Sequence, residues 1–375
     1  MIRSIGILGG GQLGRMLCLA AKRMGYRVTI LDPTPNSPAG QVADDQILAA
    51  YDDERAVTAL GACSDVVTYE FENIMLRSVA LLEEAGYRVR PSAQVLRVAQ
   101  DRMLEKSFVR DAGGQTAEFA QASALGDLQH AIRTIGMPGV LKTAQGGYDG
   151  KGQWLIRDQA GAGEAFAAAG GKRLIYERFI AFDCEVSIVC ARNACGEAIA
   201  FPVAENIHDR GVLCTTIVPA RIAADAARRV RATAEMIGAK LGIIGAYCVE
   251  FFVVGDAVYV NEIAPRVHNS GHYSLDAAQL SQYEAHVRAI CDLPLEEPKL
   301  LTPAVMVNIL GADAGDALAG TDELLRDPAV KLHMYGKAHA ALRRKMGHFT
   351  VTAPTVEEAL AKAQACSALL HWSRE

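Results

Sequence analysis

The sequence predicts an α/β protein of two or three domains that opens on a parallel sheet. Three observations carry this. Apolar runs at residues 4–8, 27–31 and 66–69 alternate with helical stretches at 13–24 and 76–85, and strands separated by helices build βαβ units. The chain has 375 residues, more than one core usually serves. Half of those residues are hydrophobic, enough to fill several cores.

The elements follow in order. The run 4–8 breaks into Gly9, Gly10 and Gly11, and the helix 13–24 closes at Gly25. The strand 27–31 ends at Asp32, before the loop PTPNSPAG. Strands at 66–69 and 88–90 flank the helix 76–85. Pro91 and a helical run after Ser92 mark a boundary. Residues 116–178 read as a smaller unit, with a helix at 124–135, strands at 139–143, 152–156 and 174–178, and a glycine-rich loop between the first two strands. A larger unit follows, with strands at 185–190, 215–218, 247–253 and 257–262. Its helix 223–241 puts Val230, Ala234, Ile237 and Leu241 on one face and stops at Gly242. After Pro294 and Pro298 a small tail domain begins.

Composition excludes several classes. A net charge of −5 gives no basic excess for nucleic acid. The nine cysteines are scattered without a C-x-x-C pair, which favours free thiols in a reducing cytoplasm over zinc or disulfides. The apolar run at the start is short for a secretory leader, and no stretch reaches membrane-spanning length.

Five motifs carry chemistry. Gly9-x-Gly11-x-x-Gly14 lies between a strand and a helix, with Asp32 ending the next strand. That form suits a dinucleotide, a single phosphate of another ligand, or a tight turn without a ligand. Residues 142–153 run Lys-Thr-Ala-Gln-Gly-Gly-Tyr-Asp-Gly-Lys-Gly-Gln, a hairpin whose four glycines free backbone amides for phosphate oxygens while Lys142 and Lys151 supply charge. Glu250 and Glu262 stand on two apolar strands. A three-residue turn at 255–257 sets them opposite on one face, where a magnesium ion would relieve their repulsion; a turn of even length separates them. Residues 261–272, Asn-Glu-Ile-Ala-Pro-Arg-Val-His-Asn-Ser-Gly-His, pack an arginine, two histidines and amides behind a buried strand, a density that suits an active-site rim. The run Arg343-Arg344-Lys345 reads, alone, as solvated surface.

Together, Gly-Gly-Gln-Leu-Gly-Arg at 10–15, the lid-like loop at 146–153 and the 261–272 stretch resemble the N5-carboxyaminoimidazole ribonucleotide synthetases of the ATP-grasp superfamily, in order and spacing along essentially the whole chain. The resemblance implies an ATP-grasp fold with an N-terminal Rossmann-like domain over residues 1–101, an ATP-grasp domain over 102–297 whose lid spans about 116–178, and a C-terminal domain over 298–375. It implies ATP, magnesium and bicarbonate, with carboxyphosphate formed and passed to 5-aminoimidazole ribonucleotide in purine biosynthesis. It implies a cytoplasmic homodimer without nucleic-acid or membrane partners.

Residue by residue, the resemblance puts Arg102, Lys142, Gly147, Tyr148, Asp149, Gly150, Lys151, Gly152 and Gln153 on the nucleotide phosphates or in the lid. Glu177, Arg178, Phe179 and Ile180 match the adenine hinge, Glu185 the ribose contact, and His208 and Asn261 further nucleotide contacts. Glu250 and Glu262 match the metal ligands. Tyr148, Asp149, Lys151, Arg266 and His268 fall where bicarbonate, carboxyphosphate and the ribonucleotide meet. Gly11, Gln12, Leu13, Glu70, Glu72, Asn269, Ser270, Arg344 and Lys345 fall at the ribonucleotide, and the glycine turn becomes a ribonucleotide site. Two positions depart from the pattern: Ile263 and Ala264 follow Glu262 where many ATP-grasp enzymes have Glu-x-Asn, and Ser274 replaces a usual threonine. Other readings are an ATP-grasp ligase for a different amine, an NAD-dependent oxidoreductase, which leaves the lid and the glutamate pair without a role, and a non-catalytic nucleotide-binding regulator.

Overall fold

The structure, a computed structural model, describes residues 2–147, 150–313 and 315–373. The first unit runs β1 (Ser4–Leu8), α1 (Gln12–Arg23), β2 (Arg27–Leu31), β3 (Asp45–Ile47), α2 (Glu54–Ala62), β4 (Val66–Tyr69) and α3 (Leu76–Glu84). Its strands are parallel in the order β3-β2-β1-β4. Residues of both parities in β1 and β2, including Ile7, Leu8, Ile30 and Leu31, are buried, as a sheet covered on both faces requires. The expected strand at 88–90 is absent. Residue 89 makes one bridge to Val67, with Arg90 donating to the Val67 carbonyl at 2.9 Å, and Pro91 has no amide to continue the ladder.

Next come α4 (Ala93–Ala99) and α5 (Arg102–Ala112). Asp101 caps α5, accepting from the Met103 and Leu104 amides at 3.0 and 3.2 Å. The inward face of α5 buries Arg102, Glu105, Lys106 and Val109. Three buried charges on one helix face need partners, and the site supplies them.

The lid unit contains β5 (Phe119–Ala122), α6 (Leu125–Ile135), β6 (Gly139–Thr143), β7 (Gln153–Ile156), α7 (Gln159–Ala168) and β8 (Leu174–Arg178). Its sheet is antiparallel in the order β5-β8-β6-β7, with a core of Leu128, Ile132, Leu141, Ile156 and Tyr176.

The central unit contains β9 (Cys184–Arg192), β10 (Ala198–Ala200), β11 (Ala204–Asp209), β12 (Val212–Val218), α8 (Ala224–Leu241), β13 (Gly245–Val254), β14 (Ala257–Ala264), α9 (Ser274–Ala277) and α10 (Gln282–Ile290). Val230, Ala234 and Ile237 of α8 pack on one face of the sheet, and Gly242, with φ +69, ends the helix. On the other face α10 joins the first unit, where Tyr283 and Val287 share a core with Leu13 and Leu17 of α1. The last segment adds β15 (Ala304–Leu310), β16 (Ala317–Ala319), α11 (Thr321–Leu324), β17 (Val330–Met334), β18 (Lys345–Thr352), α12 (Val356–Leu369) and β19 (His371–Ser373). Its strands extend the central sheet in the order β14-β13-β9-β11-β12-β15-β18-β17, so the tail carries no separate main sheet of its own.

Candidate active site

A cleft of about 1440 Å³ lies where the first unit, lid, central sheet and tail meet. On the lid side, Lys142 of β6 donates to Glu177 of β8 at 2.9 Å, and Lys106 of α5 approaches the same carboxylate at 3.3 Å. All three side chains are buried. Burial opposes ionisation of Glu177, but Lys106, Lys142 and Arg102 overcome it and hold its pKa at about 2. Its other oxygen, Oε1, is buried and has no hydrogen-bond partner among the described residues.

Glu250 of β13 and Glu262 of β14 pair directly across the hairpin. The expected three-residue turn is not how this comes about. The turn has two residues, Gly255 and Asp256, because Val254 pairs with Ala257. Gly255 takes φ +54, the left-handed value that a two-residue hairpin turn needs. Unrelieved, that turn would put Glu250 opposite Asn261. A β-bulge instead leaves Asn261 unpaired between the pairs Phe251–Val260 and Glu250–Glu262. Asn261 and Glu262, sequence neighbours, therefore both line the cleft. Each carboxylate has a cationic neighbour, Arg102 at 3.3 Å from Glu262 and His268 at 3.1 Å from Glu250. Burial opposes ionisation of Glu250, and His268, His208 and Arg266 hold it at about 2.

Two carboxylates plus the buried Oδ1 of Asn261, which has no hydrogen-bond partner among the described residues, form a hard oxygen set that fits magnesium. Among the described residues no three or more His, Cys, Asp or Glu groups could hold a metal alone. That suits an ion that takes its remaining ligands from phosphates and water.

Arg266 forms a half-buried ion pair with Glu72 and donates to the Val267 carbonyl at 3.0 Å. His268 Nδ1 lies 2.9 Å from Ser270 Oγ, which also contacts Ser187 at 2.7 Å. Burial would lower the His268 pKa, but Cys248 and Glu250 outweigh it and hold the ring at about 10. His268 is thus a cation at neutral pH. His208 forms an ion pair with Glu185, which outweighs burial and raises the His208 pKa.

From the tail, Lys337, Arg343, Arg344 and Lys345 close the far end of the cleft. Arg343, at φ +64, pairs with Asp209 at 3.2 Å and so ties this loop to the β11–β12 hairpin. The run read as solvated surface when taken alone therefore faces the cleft.

Family models match the chain in three consecutive stretches: the ribonucleotide synthetase preATP-grasp domain over residues 2–100, the ATP-grasp domain over 107–283, and the phosphoribosylaminoimidazole carboxylase C-terminal domain over 304–362. The N5-carboxyaminoimidazole ribonucleotide synthase of Bacillus subtilis (strain 168) is 42% identical over 347 residues, 92% of this chain and 90% of that one. The chain belongs to the N5-carboxyaminoimidazole ribonucleotide synthase family.

It is thereby an ATP-grasp ligase, and the resemblance read from the motifs is borne out, as is the α/β fold class. Two solved structures of the family superpose closely. The ADP complex of an N5-carboxyaminoimidazole ribonucleotide synthetase has TM-score 0.91 at 44% identity, covering 97% of this chain and 96% of that one. An Aspergillus clavatus synthase in complex with ADP and 5-aminoimidazole ribonucleotide has TM-score 0.91 at 32% identity, covering 98% of each chain.

Within this family frame, the cleft gathers many of the expected residues. Gln12, Leu13 and Glu72 line it from the first unit; Arg102, Lys142, Gly150, Lys151 and Gln153 from α5 and the lid; Glu185, His208, Asn261, Arg266, His268 and Asn269 from the central unit. Gly147 lines a small hollow beside Glu262, and Gly152, at φ +69, accepts from the Thr143 amide at 2.9 Å. Arg178, Phe179 and Ile180 lie at the end of β8 outside the lining, with Arg178 paired to Glu118 at 3.2 Å. Ser270 sits buried behind His268. Tyr148 and Asp149 lie outside the described residues.

In the glycine turn three amides have partners within the protein: Gly10 donates to Asp32 at 2.7 Å, Gly14 to Glu70 at 2.6 Å, and Gly11 to Glu70 as well. Glu70, expected at the ribonucleotide, occupies the α1 N-terminus itself, so Gly11 and Glu70 bind each other. The same contacts remove the pyrophosphate seat a dinucleotide needs.

Sequence reasoning missed Phe71, Asn73, Phe182, Asn206, Phe252 and Lys337 in the lining. Phe252 stacks on Phe182 with centroids 4.7 Å apart, and its i+2 relation to Glu250 was a usable signal. Lys337 sits in a loop with no motif.

Proposed function

We propose that this chain uses ATP and bicarbonate to carboxylate the exocyclic amine of 5-aminoimidazole ribonucleotide. The observation that carries the reading is the facing Glu250–Glu262 pair, set in one cleft between Arg102 and Lys142 on one side and Arg266, His268, Arg344 and Lys345 on the other. That order suits a nucleotide triphosphate, a small anion and a phosphorylated acceptor. The names of its relatives, one solved with ADP and 5-aminoimidazole ribonucleotide, support it.

Bicarbonate is a poor electrophile, and phosphoryl transfer to it gives a leaving group. Glu250 and Glu262 would hold magnesium, which would neutralise phosphate charge. Arg102 and Lys142 bind the nucleotide phosphates. The lid residues around Lys151, with Tyr148 and Asp149, close over them and exclude water. Arg266 and protonated His268 orient the bicarbonate and carboxyphosphate anions beside the acceptor amine. Arg344 and Lys345 hold the ribonucleotide phosphate at the far end, away from the nucleotide phosphates.

The units 1–101, 102–297 and 298–375 belong to this reading, supported by the matches at 2–100, 107–283 and 304–362. So do a homodimer and a cytoplasmic location; no helix among the described residues is long and apolar enough to cross a membrane. The test is ADP release with bicarbonate, with and without 5-aminoimidazole ribonucleotide. Magnesium-dependent stimulation by that ribonucleotide is expected. Equal stimulation by glycinamide ribonucleotide with formate would move the chain to a different acceptor.

A further inference from the structure

The bulge at Asn261 decides which face of β14 presents Glu262. Before it, Val258 and Val260 point into the core with Val253 and Phe251; after it, Ile263 points into the same core with Val249. A one-residue change of register exchanges the faces of a strand. Without the bulge Glu262 would turn toward the core and Ile263 toward the cleft.

A bulge also frees backbone groups, and β14 is the edge strand of its sheet, met on its outer side by a single bridge, Thr116–Val260, that stops short of the bulge. A buried polar group left unpaired costs about 1–3 kcal/mol. Two consecutive side chains of α5 meet this need. Glu105 Oε1 accepts from the Ile263 amide at 2.5 Å, and Lys106 Nζ donates to the Asn261 carbonyl at 3.3 Å. Both are almost fully buried, 1% exposed each. Lys106 also reaches Glu177 on the lid strand at 3.3 Å.

We propose that Glu105 and Lys106 are positioning residues that clamp the Asn261 bulge and thereby keep Glu262 facing Glu250. This rests on the reading that the two glutamates hold a divalent cation. It adds that their facing is imposed from α5 and not by the hairpin alone. Neither residue touches a reacting atom. The competing explanation is that burial of Ile263 alone keeps the bulge.

The experiment compares Glu105→Gln, which keeps an acceptor for the Ile263 amide, with Glu105→Leu, which removes it. Mn²⁺ affinity is read by electron paramagnetic resonance in the presence of the non-hydrolysable analogue AMP-PNP, and amide exchange is followed over residues 258–264. Glu105→Leu is expected to weaken Mn²⁺ binding by about 10–100-fold, the usual effect of removing a partner that orients a ligand. It should also speed exchange at Ile263, with metal-free AMP-PNP affinity unchanged. Glu105→Gln should resemble the wild type in both readouts. A folded Glu105→Leu variant with wild-type Mn²⁺ affinity and exchange overturns the proposal in favour of Ile263 burial, and equal losses in both variants overturn it in favour of a charge effect. Should Glu105→Leu not fold, Lys106→Met is read by the same two measures. Absence of Mn²⁺ binding by the wild type defeats the metal reading alone, and the exchange data then decide whether α5 holds the bulge.

Discussion

Arg266, in the loop after β14, and Glu72, after β4, form a half-buried ion pair that fastens the first unit to the active-site rim. Their side chains are 13% and 17% exposed, and burial opposes the charge on each. Removing one partner leaves the other charged and half-buried at the cleft wall. Glu72→Ala is expected to cost about 1.5–3 kcal/mol of stability, read as a lower urea midpoint. A change under about 1 kcal/mol, the range of an exposed pair, would show that water reaches this junction.

The glutamate pair makes a direct demand on metal. Glu250→Gln and Glu262→Gln should each raise the magnesium concentration needed for half-maximal ADP release and lower its ceiling. Titrations at fixed ATP check this. Wild-type magnesium dependence in both variants would remove these residues from the metal site.

Gly150 carries a closure prediction. It takes φ +75, and a Cβ there would lie 2.9 Å from the Arg210 carbonyl oxygen, in the turn of the β11–β12 hairpin. Gly150→Ala therefore meets both backbone strain and a backbone clash. Its ATP-dependent turnover should fall about tenfold or more, given that displacing a positioned group by about 1 Å can cost about 100-fold. The thermal midpoint should move little, since the loop packs no core residue. A proteolysis rate in the lid that magnesium and an ATP analogue slow in wild type but not in Gly150→Ala would confirm the cause; equal protection would reject it.

Arg344 and Lys345 should act on the acceptor alone. A charge-assisted hydrogen bond contributes about 1.5–3 kcal/mol, so Lys345→Ala should raise KM for 5-aminoimidazole ribonucleotide about tenfold or more while KM for ATP stays near wild type. An unchanged ribonucleotide KM in a folded Arg344→Ala, Lys345→Ala double variant would return the cluster to ordinary surface.

Acid should weaken the fold through His286. The ring is buried between Thr68, 2.9 Å from Nε2, and the Ala246 amide, which donates to Nδ1 at 3.0 Å. Burial lowers its pKa to about 3. The folded pKa lies below the unfolded value, so the full contribution is present above about pH 6.5 and is lost as pH falls from there toward 3. At pH 5 the loss from this group is about 2 kcal/mol. Unfolding free energies from urea titrations at pH 7 and 5 should differ by at least that amount in the wild type and by less in His286→Gln. His272 and His348, also pushed down by burial, add in the same direction.

The elements that could be read from sequence are those whose pattern is set locally. β1, β2 and the helix ending at Gly242 follow from apolar runs and glycine stops. α7 escaped because its Ala- and Gly-rich residues show no periodic apolar face, and β3 because one exposed and two half-buried residues give no run. In the site, clustered groups such as Arg266 and His268 announced themselves in one motif. Lys337 and Phe182 reach the cleft only through long-range packing. The bulge had left a trace: buried residues shift parity between Val260 and Ile263, a break that strict alternation does not explain. The amide capture by Glu70 left none, because Gly11 and Glu70 are brought together only by parallel pairing of β1 with β4.

The way the tail is stitched in bears on how the enzyme can be cut. Pairs from Thr215–Val307 to Val218–Ala304 join β12 to β15 inside one sheet. Cleavage in the exposed stretch near Leu301 would nick the molecule without dividing it, because separating the pieces would bare an unpaired β12 edge together with buried Ile217 and Val305. A gene ending before β15 would make a sticky, aggregating product rather than a smaller enzyme. Two gene halves meeting there would need to fold in each other's presence.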